Sequence, residues 1–242
     1  MNEAPWRLVG TPRFGGVLIV SDHASNRVPH DIDLGIAPAL LEAHIALDIG
    51  VAQVADAMAE RAGIAAFLSN VSRLVCDFNR EGHEPAAIPI ASDGHAIPGN
   101  RLSHEAQEAR LARFHAPYHA ALAALLDDAP PALILSLHSF TPCLESHPEQ
   151  ERPWQVGVLY NQDARGARLA IPMLEAEGLV VGDQRPYSGK LLNATMNRHA
   201  EAEGRPYLGI EIRQDEIGDA AGQAQWAQRL IRICNGVALA LD

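Results

Sequence analysis

Gly16-Val-Leu-Ile-Val-Ser-Asp-His23-Ala-Ser-Asn26 and Ala132-Leu-Ile-Leu-Ser-Leu-His138-Ser-Phe-Thr141 decide the reading of this chain. Each is a short continuous apolar run that ends in a histidine among small polar residues. Runs of that length bounded by breakers read as buried parallel strands, and in open α/β sheets ligands gather beyond the carboxyl ends of such strands. Both imidazoles are therefore expected at one edge of one sheet, where a matched pair with acids nearby points to a metal ion. The other histidines lack that placement. His44, His104, His115, His119 and His199 fall in helical-looking stretches and His30, His83, His95 and His147 in loops, and most are expected to face solvent.

Outward from these two runs, the pattern predicts strands at 16–22, 65–70, 73–77, 132–138, 155–160, 178–182 and 207–212, and helices at about 38–62, 103–127, 164–177, 190–203 and 219–241. Strands alternating with helices argue for an α/β layered sheet. The helix readings rest on apolar spacing such as Leu41, Ile45, Ile49, Ala52 and Ala55, with stops at Gly63 and Pro130-Pro131. Two long irregular stretches, 81–102 and 141–153, are expected to frame the site, because loops of that length in a compact domain are usually lids or binding loops.

Composition bounds the function. With 242 residues, 48% hydrophobic and 20% charged, the chain is an ordinary globular protein, read as one domain over 1–242. Nineteen basic against thirty acidic residues give a formal charge of -11, which argues against a nucleic-acid or anionic-membrane surface and leaves a small anionic substrate allowed. Three scattered cysteines, Cys76, Cys143 and Cys234, are too few for a disulfide framework or a thiolate zinc cluster. The amino-terminal residues lack a signal pattern and no apolar run reaches membrane-spanning length, so a cytoplasmic location is expected.

A hydrolytic zinc site needs three nitrogen or oxygen ligands and an open position for water, so His23 and His138 require a third partner, commonly a carboxylate. Asp48 is the candidate, because it lies in the apolar stretch His44-Ile-Ala-Leu-Asp48-Ile-Gly-Val of the first predicted helix, where an acid is costly to bury unless paired or bound to a cation. Asn26, three residues after His23, competes, but an amide binds zinc less readily than a carboxylate. Arg205-Pro-Tyr-Leu-Gly-Ile-Glu211-Ile-Arg213-Gln-Asp215 reads as a strand with Gly209, Glu211 and Arg213 on one face. Glu211 there is either half of an internal ion pair or a catalytic carboxylate beside the metal, able to act as general base and then general acid. Ser72-Arg73-Leu-Val-Cys-Asp77-Phe-Asn79-Arg80 places two guanidinium groups and an amide at a strand end, suited to binding a carboxylate and polarising a carbonyl.

Together with Ser21-Asp-His-Ala-Ser-Asn-Arg-Val-Pro29, Ser136-Leu-His-Ser-Phe140 and Pro186-Tyr-Ser-Gly189, these segments resemble the N-formylglutamate amidohydrolase family from Ser21 to Ile217. The resemblance implies a single-domain, phosphorylase/hydrolase-like three-layer α/β sandwich with a mixed, largely parallel sheet, shared with zinc carboxypeptidases, aspartoacylases and muramoyl-alanine amidases. It implies zinc on His23, Asp48 and His138, Glu211 as catalytic acid/base and Arg73 supporting the oxyanion. It also implies Asn79, Arg80 and Arg213 at the substrate carboxylate. Carboxypeptidases and aspartoacylases use an HxxE ligand pair, whereas Asn26 stands at that position here. The expected activity is hydrolysis of the N-acyl amide of a small acidic amino acid, N-formyl-L-glutamate leading. The alternatives are another N-acyl amino acid, a cell-wall peptide amide, or a metal- or ligand-binding relative without catalysis.

Overall fold

The structure is a computed structural model that describes residues 4–241. In chain order its elements are β1 (Trp6–Val9), β2 (Val17–Ser21), α1 (Val51–Ala59), β3 (Ile64–Ser69), β4 (Ala91–Ser92), β5 (His95–Ala96), α2 (His104–Arg113), α3 (His115–Asp128), β6 (Leu133–Phe140), β7 (Val156–Leu159), α4 (Arg165–Ala176), β8 (Val181–Asp183), α5 (Ala194–His199), β9 (Tyr207–Arg213) and α6 (Ala220–Leu241). Seven strands form one sheet in the order β1-β3-β2-β6-β9-β7-β8, and β4 and β5 form a separate small hairpin. Strands β3, β2, β6 and β9 run parallel at the centre, while β1 on β3 and β7 on β9 are antiparallel, so the sheet is mixed and mostly parallel.

The period of two in each central strand divides its side chains between two cores. Val17 and Ile19 of β2, Leu133, Leu135 and Leu137 of β6, and Leu208, Ile210 and Ile212 of β9 pack with α1, α4 and α6 on one face. Leu18, Val20, Ile134 and Tyr207 pack with Tyr118, Leu122 and Leu126 of α3 and Met196 of α5 on the other. This is the three-layer sandwich expected, and the same alternation puts His138 and Glu211, one step beyond Ser136 and Gly209, on the α3/α5 side. Among the described residues no helix is long and apolar enough to cross a membrane.

Several expected elements are corrected. The helix at 38–62 is a 3-10 turn at Pro38–Glu42, an irregular stretch, and then α1 alone. Gly50 interrupts it with a φ of +83°, and Ile45 and Ala46 bury instead in a side cluster with Leu34, Leu74 and Ile97. The strand at 73–77 is a turn, which Ser72 closes on itself: its carbonyl accepts from Val75 N at 2.9 Å and its Oγ from Leu74 N at 3.1 Å. A short buried apolar run looks the same in either conformation. The helix at 103–127 breaks at Phe114, the one at 190–203 shortens to α5 plus a 3-10 turn, and edge strand β1 was not anticipated.

Gly50 positions the chain that leads Asp48 into α1. A Cβ there would meet the Ile217 carbonyl oxygen, and would stand 2.8 Å from Ile217 Cγ1, in a backbone region that L residues rarely occupy. Gly50→Ala is expected to cost about 1–3 kcal/mol, read as a lower denaturant midpoint at unchanged slope.

Candidate active site

Parallel pairing of β2, β6 and β9 brings their carboxyl ends to one edge, as the two apolar runs predicted. His138 and Glu211 are direct neighbours in the β6–β9 register, and His23 follows two residues after β2. Asp48 reaches the same point from the irregular stretch before α1, not from inside a helix, and its backbone N–H is bonded to the His23 carbonyl at 2.9 Å. One ligand atom from each of His23, Asp48 and His138 lies within 4.8 Å of the other two, and all three residues are buried.

The donor set suits a cation. Asp48 Oδ2 sits 2.8 Å from His138 Nδ1 and 3.4 Å from His23 Nδ1, so both rings turn the same nitrogen toward one carboxylate oxygen. His23 Nδ1 is buried and has no hydrogen-bond partner among the described residues. The far nitrogen of each ring faces a second carboxylate: His23 Nε2 is 2.7 Å from Asp77 Oδ1, and His138 Nε2 is 3.6 Å from Asp22 Oδ2. Tyr118 in turn donates its hydroxyl to Asp22 Oδ1 at 2.8 Å. Carboxylates behind metal-ligating histidines fix tautomer and ring orientation and raise ligand basicity. In the sequence Asp22 and Asp77 each lie beside a more conspicuous residue, although an acid at the end of an apolar run is itself a signal.

Burial works to raise the carboxyls of Asp22, Asp48 and Asp77, yet all three are held below the ordinary carboxylate range. His138 and His23 do this for Asp22 and Asp48, and His23 with Arg73 for Asp77. Glu211 differs. Burial, with Asp48 adding to it, outweighs the opposing charges of His138, His23 and Arg73 and pushes it up to about 7. Its Oε2 has no hydrogen-bond partner among the described residues. The internal ion pair weighed for Glu211 is therefore not what the structure shows for that oxygen; the carboxyl lines the cavity and is poised to exchange a proton.

That cavity, of about 140 Å³, is lined by His23, Asp48, His138 and Glu211 together with Arg73, Asn79 and Arg80. Arg73 bridges acids, with Nη2 at 2.9 Å from Asp77 Oδ2 and Nη1 at 3.4 Å from Asp48 Oδ1. Asn79 accepts the Thr195 N–H on Oδ1 at 3.1 Å, which orients its amide with Nδ2 as the available donor. Arg80 braces Nη1 on the Asn79 carbonyl at 3.0 Å.

Two expected participants stand elsewhere. Arg213 lies outside the cavity: its Nε and Nη2 pair with Asp215 at 2.7 and 3.1 Å, and Nη1 faces the carbonyls of residues 152–154. The face alternation of β9 was read correctly, but its last side chain is captured by the acids that follow it. Asn26 donates to Glu42 at 3.0 Å on the exposed side. Tyr187, Leu192 and His44 join the lining unanticipated. His44 Nε2 lies 3.0 Å from Asp93, which also accepts the N–H groups of Glu145 and Ser146, so the two long loops are joined beside the cavity.

Residues 15–218 match the model of the N-formylglutamate amidohydrolase family. Among solved structures, a gene product from Agrobacterium tumefaciens superposes with a TM-score of 0.91 at 27% identity, over 99% of this chain and 96% of that one. An N-formylglutamate amidohydrolase from Ralstonia eutropha superposes with a TM-score of 0.74 at 21% identity, over 99% and 98%. At 21% the likeness is one of fold. No curated protein matches the chain.

Proposed function

The chain belongs to the N-formylglutamate amidohydrolase family, and from that premise we propose that it is a zinc-dependent hydrolase of the N-acyl amide of a small acidic amino acid. N-formyl-L-glutamate, yielding formate and glutamate, is the leading substrate. The observation that carries this reading is the convergence of His23, Asp48 and His138 in a buried triad that shares one cavity with Glu211, Arg73 and Arg80.

His23, Asp48 and His138 would hold the ion through Nδ1, a carboxylate oxygen and Nδ1, with Asp77 and Asp22 supporting the two rings. When bound, zinc supplies Lewis acidity toward the amide carbonyl and makes water a better nucleophile near neutral pH. Glu211 takes a proton from the attacking water and returns it to the departing amine, so that the nitrogen leaves as a neutral amine and the carboxylate is regenerated. Arg73 helps keep Asp77 ionised and places positive charge beside the developing oxyanion. Arg80 and the Asn79 amide receive the substrate carboxylate.

The direct test is release of primary amine from N-formyl, N-acetyl and N-succinyl amino acids, with metal content measured in parallel. Turnover of N-formylglutamate above the others by zinc-loaded protein is expected; turnover at full rate in metal-free protein would sink the reading. Arg80→Lys keeps the charge but loses the planar donor fork. It should lower kcat/KM for the free acid by roughly ten- to a hundredfold, leave zinc content alone, and matter far less for substrate whose carboxylates are blocked as esters.

A further inference from the structure

Three of the histidines in helical-looking stretches, His115, His119 and His199, are buried together. His115 and His119, four residues apart on one face of α3, lie with ring centroids 4.3 Å apart, and His119 stacks on His199 of α5 at 5.2 Å with an interplanar angle of 14°. They do not reach the metal triad. They reach the main chain of the segment that carries Asn79 and Arg80: His119 Nε2 stands 3.1 Å from the Phe78 carbonyl, and His115 Nε2 stands 2.9 Å from the Arg80 carbonyl.

The chemistry of the partners fixes the protons that face them. A carbonyl only accepts, so Nε2 of His115 and of His119 must be the donor. His119 Nδ1 is then an acceptor and takes the Nε2 proton of His199, 2.9 Å away. Burial pushes His119 down to about 3 and His199 down to about 4, so both rings stay neutral and the order of protons is stable across the neutral range. Thr195 completes the set, with its hydroxyl donating to the Phe78 carbonyl at 3.2 Å and its N–H to Asn79 Oδ1 at 3.1 Å.

Residues 78–80 belong to no strand, so ladder hydrogen bonds do not place them. Behind the histidines lies a cavity of about 550 Å³, walled in part by the small side chains of Ala116, Ala120 and Ala123. The histidine layer therefore has the clamp segment on one side and open space on the other. The Phe78 ring is itself held in the core, stacked on Tyr118 at 4.0 Å, while the main-chain carbonyls that lead to Arg80 take directed hydrogen bonds from the histidines and Thr195.

We propose that His115 and His119, with His199 fixing the tautomer of His119, are positioning residues for the substrate-carboxylate clamp, holding the Phe78 and Arg80 carbonyls and thereby the Asn79 amide and the Arg80 guanidinium in the active cavity. The proposal rests on the clamp assigned above to Asn79 and Arg80. None of the three touches substrate. Their loss is a loss of aim, felt in recognition of the carboxylate and not in the proton transfer at Glu211.

The test uses zinc-loaded protein, N-formyl-L-glutamate and its dimethyl ester. His115→Ala should raise KM for the free acid by about three- to tenfold, the scale of one neutral hydrogen bond, with kcat within about twofold and the ester little affected. His115→Gln, whose amide can donate in place of Nε2, should recover most of the KM. His199→Phe keeps a stacked ring but withdraws the proton from His119, and should shift KM in the same sense as His115→Ala. Neutral Nε2–H imidazoles at His119 and His199 should be visible by nitrogen-15 resonance at pH 7 in the wild-type protein. Equal effects on free acid and ester, no recovery with glutamine, or an Nδ1–H tautomer at His119 would overturn the proposal. Wild-type protein that fails to prefer the free acid removes the clamp itself and the proposal with it. Wild-type preference preserved intact in both His115→Ala and His199→Phe removes the histidines alone.

Discussion

Glu211→Gln is expected to retain the fold and the bound metal while lowering kcat by about 100- to 10,000-fold, the usual contribution of a positioned general base. The amide has the shape of the carboxyl but cannot take a proton from water. Its neighbours on β6 and β9 are unchanged, and Gly157, whose added Cβ would stand 3.4 Å from Glu211 Cβ, leaves a slot that glutamine fills equally well. The pH profile carries a second signature. Glu211 works as the anion and burial pushes it up to about 7, so kcat/KM should rise as pH climbs through the neutral range, and that limb should vanish in the variant. Near-normal turnover in Glu211→Gln would remove this residue from the chemistry.

The other large effect lies at the triad. His23→Ala, Asp48→Ala and His138→Ala should each strip zinc on dialysis and reduce activity to background, since an open catalytic site has no ligand to spare. Asn26→Ala should keep its metal, because Asn26 is spent on Glu42. Asp77→Asn and Asp22→Asn lie between these extremes: each leaves the three ligands in place but takes a carboxylate from behind one ring, and should weaken zinc affinity by about 10- to 100-fold. Atomic-emission metal content against free zinc concentration separates the classes. Full occupancy in Asp48→Ala with loss in Asn26→Ala would reverse the ligand assignment.

The sequence by itself determined the sheet and its chemical edge. Val17 to Ser21 and Leu133 to Phe140 are parallel strands because their apolar runs can be buried on both faces, and parallel strands deliver whatever follows them, His23 and His138, to one side. Local pattern also fixed Glu211 in a strand, since period two follows from backbone geometry alone. What it did not determine is everything that depends on a partner far along the chain. The apolar spacing of residues 41–55 suits a helix, yet Gly50, the His23 carbonyl and two imidazoles hold Asp48 in an irregular turn. Arg213 has the right face and the wrong neighbours. The roles of Asp22, Asp77, His115, His119 and His199 arise from contacts across 35 to 116 positions or from ring stacking between α3 and α5, for which no short-range periodicity exists. Burial then decides their protonation, pushing Glu211 up and His119 and His199 down. Residue type and spacing state which groups can hold a metal or move a proton; only the packed fold sets the distance, the desolvation and the facing charge that make them do so.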